Sequence, residues 1–251
     1  MKFRLSWAVL GFATIMKAHF VFVVPLPGGA NAQVFLSENL KPDAKVDLGL
    51  VAQAQLSLRD PNGREAPLVL VNSGHAYAAS LPGTGTRLIH GTADLGVMQQ
   101  GTDKSYLLTY YPKAILGDPF DSTTTVGNSA RVEVVPVGKP GAVRLELLVR
   151  GVPESGAEIT VIRPDASQVK VMTDHAGLTE PLGQSGRYGA WASHWEAGKG
   201  MHQGKAYDER RDYATLVFDT SPQSETAKGA ARIDRKAREE SGGPTQDSHC
   251  A

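Results

Sequence analysis

Seven histidines and one cysteine are the residues of this 251-residue chain best suited to metal or proton chemistry. Cys250 stands next to the end, so it supports neither an intramolecular disulfide framework nor a Cys-rich zinc or iron–sulfur site. The histidines differ in setting. His19 precedes the apolar run Phe20-Val21-Phe22-Val23-Val24, and His90 closes Leu88-Ile89 just before Gly91. His194 shares one strand face with Tyr188, Ala190, Ala192 and Glu196 by two-residue alternation. His202 follows Met201 in the glycine-flanked stretch Gly198 to Gly204, which reads as a loop. His75 and His175 lie in turns beside glycine, and His249 belongs to the tail. Imidazole-rich sites suit Ni, Cu, Co and Zn rather than Ca or Mg. His19, His90, His194 and His202 are therefore the candidate metal ligands, although their spacing alone does not bring them together.

Other chemistry finds no anchor. The chain has no G-x-S-x-G elbow, P-loop, dinucleotide glycine fingerprint or H-E-x-x-H motif. No pair of carboxylates is singled out by spacing, and Gly83-Thr84-Gly85 reads as a hairpin turn rather than a phosphate cradle. Charge is balanced, 26 Lys and Arg against 26 Asp and Glu, which argues against nucleic acid as a partner. Trp191, Trp195 and Tyr188, close to His194, read as core or sheet-surface aromatics, and an exposed aromatic face would suit a sugar.

The elements that must position these residues are strands. Gly and Pro number 27 and 15, an excess that suits many turns and argues against a helical bundle. Short β-branched and aromatic runs recur about every 8–15 residues: Phe20 to Val24, Ala32 to Leu36, Gln55 to Arg59, Leu68 to Val71, Ala76 to Ser80, Thr86 to His90 and Tyr106 to Tyr110. Asp60-Pro61-Asn62-Gly63 is a turn in which Pro sets φ and Gly accepts φ > 0. Lys41 to Ala52 lacks strand alternation and reads as a helical turn or two. Further strands are expected at Arg131 to Pro136, Val143 to Val149, Gly156 to Val161, Val169 to Met172, Gly186 to Trp195 and Tyr213 to Phe218. The fold class is all-β, two antiparallel β-sandwiches over 19–138 and 139–220 with a boundary at Gly138-Lys139-Pro140-Gly141. Residues 221–251 carry five basic and five acidic residues with few bulky apolar ones, and read as a disordered tail.

Residues 1–18 read as a signal peptide: Lys2 and Arg4 precede an apolar run, Leu5 to Ile15, too short to span a bilayer. Cleavage after Ala13 and after Ala18 compete, and the second is favoured. It would make His19 the new terminus, with amine and imidazole nitrogens on one residue. The mature protein is then exported, periplasmic or extracellular, with no membrane span.

The strands and turns of residues 141–220 resemble the prealbumin-like modules of carboxypeptidase regulatory type. Four stretches, Ala18 to Pro25, His90 to Gly96, Leu107 to Lys113 and Tyr213 to Phe218, together resemble a family of exported bacterial proteins described as periplasmic components of cobalt/nickel uptake, or simply as a domain of unknown function. The resemblance implies a β-rich exported protein whose N-terminal histidine region helps bind a transition metal. That supports His19 most and His90 and His194 less.

The leading expectation is a non-catalytic carrier or uptake accessory for Ni, Co or Cu. A transporter role would require a separate membrane component. The alternative is a cell-envelope module that binds carbohydrate or protein through its aromatic sheet surface, and a copper enzyme is a third, more distant reading.

Overall fold

Alternation is the rule that organises the computed structural model, which describes residues 19–99, 101 and 103–220. Residues 1–18, read above as a leader, and 221–251, with Cys250 and His249, lie outside the described residues. The first strands are β1 (Phe20–Pro25), β2 (Asn31–Ser37), β3 (Gln55–Arg59), β4 (Glu65–Pro67), β5 (Val71–Asn72) and β6 (Tyr77–Ser80). Two long strands follow, β7 (Arg87–Met98) and β8 (Tyr106–Leu116), then β9 (Val132–Lys139), β10 (Ala142–Val149) and β11 (Val152–Pro153). The chain closes with β12 (Glu158–Ile162), β13 (Gln168–Met172), β14 (Arg187–His202) and β15 (Lys205–Asp219). Short 3-10 turns occupy Leu48–Val51, Ser122–Thr124 and Gly127–Ser129. Asp47 and Asp121 cap the first two by accepting the amides of Gly49 and Thr123.

These strands form three layers. The middle one is an eight-stranded sheet in the order β13-β12-β14-β15-β8-β7-β3-β4. A four-stranded sheet, β1-β2-β6-β5, covers one face, and a three-stranded sheet, β11-β10-β9, covers part of the other. Because successive side chains point to opposite faces, each central strand feeds two cores. Leu108, Tyr110 and Ala114 of β8 pack with Phe22, Val34 and Phe35 of the four-stranded sheet. Tyr111 and Ile115 of the same strand pack with Val132, Val134, Leu145 and Leu147 of the three-stranded sheet. On β15, Val217 joins the first core and Ala214, Leu216 and Phe218 the second. Fully burying a side chain of this kind stabilises by about 1.5–3 kcal/mol.

The all-β, sandwich-like class expected from sequence is what the chain adopts. One pairing departs from the antiparallel pattern. β15 runs parallel to β8, with Glu209 to Val217 against Tyr106 to Ala114. Strands from before and after residue 138 therefore share a single sheet, and Gly138-Lys139-Pro140-Gly141 is the turn of the β9–β10 hairpin. Gly138 and Gly141, at φ +108° and +80°, supply the conformation that this turn needs. Leu68 to Val71, expected as a strand, is mostly connection between β4 and β5. The largest difference is the β14–β15 hairpin, which runs unbroken to Gln203-Gly204. A bulge between Ala197 and Gly200 absorbs the glycines that read as a loop, so His202 lies on strand β14.

A buried ion pair fastens the three-stranded sheet to the central one. Lys113 of β8 and Glu133 of β9 are paired with almost no exposure, and Lys113 also donates to the Val134 carbonyl on the β9 edge at 3.3 Å. Glu133 further accepts the amides of Val126 and Gly127 at 2.8 and 2.9 Å. Its carboxylate thus has three partners, Lys113 and two backbone amides, while Lys113 has only this counter-charge. Removing one partner of a buried pair leaves an uncompensated charge and costs ~3–5 kcal/mol, whereas replacing both by apolar residues is far milder. Urea unfolding of Glu133→Ala should show a loss of that size. Lys113→Met/Glu133→Leu should lose less than the single variant.

Candidate functional site

The four histidines are held apart by the layers. His19 precedes β1 on the four-stranded-sheet side, where its Nε2 lies 3.1 Å from Asp43 Oδ2. His90 sits in β7 opposite Ser57 and Lys113, with Nε2 3.0 Å from Glu65 Oε1. His202 lies near the β14–β15 tip, 2.9 Å from Asp94 Oδ2 of β7. His194 faces the three-stranded-sheet side and stands opposite Asp212 in register, as its alternation with Tyr188, Ala190 and Ala192 requires. His19 and His194 are thus on opposite faces of the central sheet. Among the described residues no three His, Cys, Asp or Glu side chains are grouped to hold a metal ion. The physical reason is that three of the four histidines each belong to a separate carboxylate pair.

His194 has charged company on its face. Arg131 donates Nε to Asp212 Oδ2 at 2.8 Å and pairs through Nη2 with Glu196. Arg150 reaches both oxygens of Glu196, at 2.8 and 2.9 Å. Asp212 is wholly buried, and its Oδ1 has no protein partner. Burial, with the Asp212 charge beside it, pushes the Tyr111 phenol up to about 12, so it stays protonated. This network ties β9, β14 and β15 together.

The other face carries the aromatic surface. Phe20 stacks on Trp191 with ring centroids 3.9 Å apart and 20° between planes. Tyr110 stacks on Tyr213 at 5.3 Å, and both contact Phe20, edge-on and tilted. The Tyr110 hydroxyl donates to the His19 carbonyl at 2.9 Å, and the Thr215 hydroxyl to Val21 at 2.6 Å. β1 begins at Phe20, so this packing stops there. One alternation step further out, Arg211 is clamped between rings, its guanidinium carbon 3.8 Å from the Tyr106 centroid and 4.5 Å from that of Trp195. Glu209 Oε1 accepts both Nε and Nη2 of Arg211, at 2.7 and 2.6 Å. Trp195 is 58% exposed.

This makes a ledge of three stacked planar groups at the edge of a rigid sheet. Stacking on two rings fixes the guanidinium and costs little side-chain entropy on binding. With Glu209 neutralising it, the ledge offers an indole face and free guanidinium N–H donors but little net charge. The sequence grouped Trp195 with Trp191 and Tyr188 as core or sheet-surface aromatics, and of the three only Trp195 is exposed. Trp191 and Tyr188, in contrast, are packed into the two cores. Tyr106, Glu209 and Arg211 were not singled out by sequence, because Tyr106 stands 105 positions from Arg211 and meets it only through the parallel pairing.

No protein-family model matches the chain, and no curated protein matches it.

The geometry at His90 generates a pH dependence. Burial holds its imidazole below the usual 6.5, with the Glu65 charge pulling the other way. Glu65 is itself kept below the usual carboxylate range, first by Arg59 and then by His90. The unfolded chain therefore binds a proton at this histidine before the folded chain does, and stability falls as pH drops below 6.5. His90→Gln removes that cost. In thermal melts, its Tm should drop less than that of the parent between about pH 7 and about pH 5.

Proposed function

We propose that this protein is an exported, non-catalytic binding module whose Trp195–Arg211–Tyr106 ledge holds neutral polysaccharide. The observation that carries this reading is the exposed indole of Trp195, stacked against an arginine that is already fixed in place. Aromatic faces pack against the C–H faces of sugar rings, and planar guanidinium donors reach hydroxyl oxygens. A sheet surface suits an extended chain better than a deep pocket would, and the balanced Arg211–Glu209 pair favours an uncharged one. Export rests on the leader pattern of residues 1–18.

A carrier role for Ni, Co or Cu has weaker support. His90 is hydrogen-bonded to the Glu65 carboxylate, His202 lies 2.9 Å from Asp94 Oδ2 without a hydrogen bond to it, and His194 faces away from His19. A metal site would rest on His19, through its own amine and imidazole after cleavage, and on the neighbouring Asp43.

Two measurements separate these readings. In affinity electrophoresis through neutral polysaccharides with a chelator present, the parent protein should be retarded. Trp195→Ala should lose at least about tenfold in affinity. Retardation unchanged in that variant, or abolished by the chelator, would contradict the proposal. Calorimetric titration with Ni(II) and Cu(II) should give the same affinity for His90→Ala, His194→Ala and His202→Ala as for the parent. A drop common to all three would instead restore a shared histidine site.

A further inference from the structure

The second face of the central sheet is covered only as far as β9. Beyond its edge, over β8, β7 and β3, lies a groove of about 560 Å3. Small-ligand sites span ~300–1,000 Å3. Ser57, His90, Thr92 and Tyr111 lie on its floor, and residues 126–133 supply one wall. β3 and β7 approach so closely here that a Cβ on Gly91 would run into the Gln55 carbonyl.

The wall is pinned from both sides. Arg59 donates to the carbonyls of Thr123 and Thr125 at 3.0 and 2.8 Å, and Glu133 accepts the amides of Val126 and Gly127. A ligand would therefore enter a preformed site with little ordering left to do.

Charge and hydrogen-bonding capacity are distributed unequally in this groove. Lys113 is neutralised by Glu133, and Glu65 Oε1 takes three donors, two from Arg59 and one from His90. A charged ligand would have to break one of these pairs or be buried without a counter-ion. The hydroxyls of Ser57 and Thr92 and the carboxamide of Gln55, in contrast, make no hydrogen bond among the described residues. Because Glu65 is an ionised acceptor, a neutral His90 carries its proton on Nε2 and keeps Nδ1 as an acceptor. Pro67, exposed and paired with Ser57, and the half-buried Val126 supply apolar surface beside these groups.

We propose that this groove binds a free, uncharged sugar, its hydroxyls meeting Ser57, Thr92 and His90 and its C–H face lying on Pro67. The site is on the opposite face from the Trp195 ledge and does not depend on the ledge's role.

The test is calorimetric titration of the full chain with the methyl glycosides of glucose, galactose, mannose and N-acetylglucosamine, beside glucuronate and glucosamine. At least one neutral glycoside should bind, and both charged sugars should bind at least tenfold more weakly. Thr92→Val, which removes one hydroxyl and keeps the shape, should weaken binding about fivefold. Trp195→Ala should leave it unchanged, which separates this site from the ledge. The proposal is overturned by no binding of any neutral glycoside, by equal binding of the charged sugars, or by full affinity in Thr92→Val.

Discussion

The parallel pairing of β8 with β15 is the constraint on which the rest of the molecule depends. It sets Tyr106 to Ala114 beside Glu209 to Val217, two segments about a hundred residues apart in the chain. Closing such a loop costs entropy before any contact is made. The compensation comes from both faces at once, since each of these strands contributes side chains to both cores. Without this pairing, β8 and β15 would each present a sheet edge to water.

Both candidate binding surfaces arise where a covering layer stops. β1 begins at Phe20, and the central sheet continues past it to Tyr106, Arg211 and Trp195. β9 ends the three-stranded sheet, and the central sheet continues past it to β7 and β3. In each place the exposed sheet carries polar groups whose charges are already matched. Arg211 has Glu209, Lys113 has Glu133, and Arg59 with His90 has Glu65. Preformed pairs of this kind hold donors in fixed geometry, which favours uncharged partners over ions.

The sequence carries the strands well and their partners poorly. Two-residue alternation locates β2, β3, β10 and β13 nearly to the residue, and it puts His194 on the correct face with Tyr188 and Ala190. Length is harder to read. Gly198 and Gly200 break the alternation of β14, yet Gly200 is where the Tyr207 hydroxyl packs in the hairpin, so glycine there reflects close contact rather than a loop. Pairing is harder still. Nothing near Tyr106 announces Arg211, nothing near His90 announces Glu65, and nothing near Lys113 announces Glu133. Histidine type and number point to metal chemistry, but the layers decide which imidazoles can meet. The layers put His19 and His194 on opposite faces of one sheet.

Native-state hydrogen exchange tests most directly whether one shared sheet underlies all of this. Amides of β8 and β15 should exchange with the same, highest opening free energy, and β7, β12 and β14 should open with them as a single cooperative unit. Two separable classes, with residues 142–219 opening while residues 20–116 stay protected, would contradict the account.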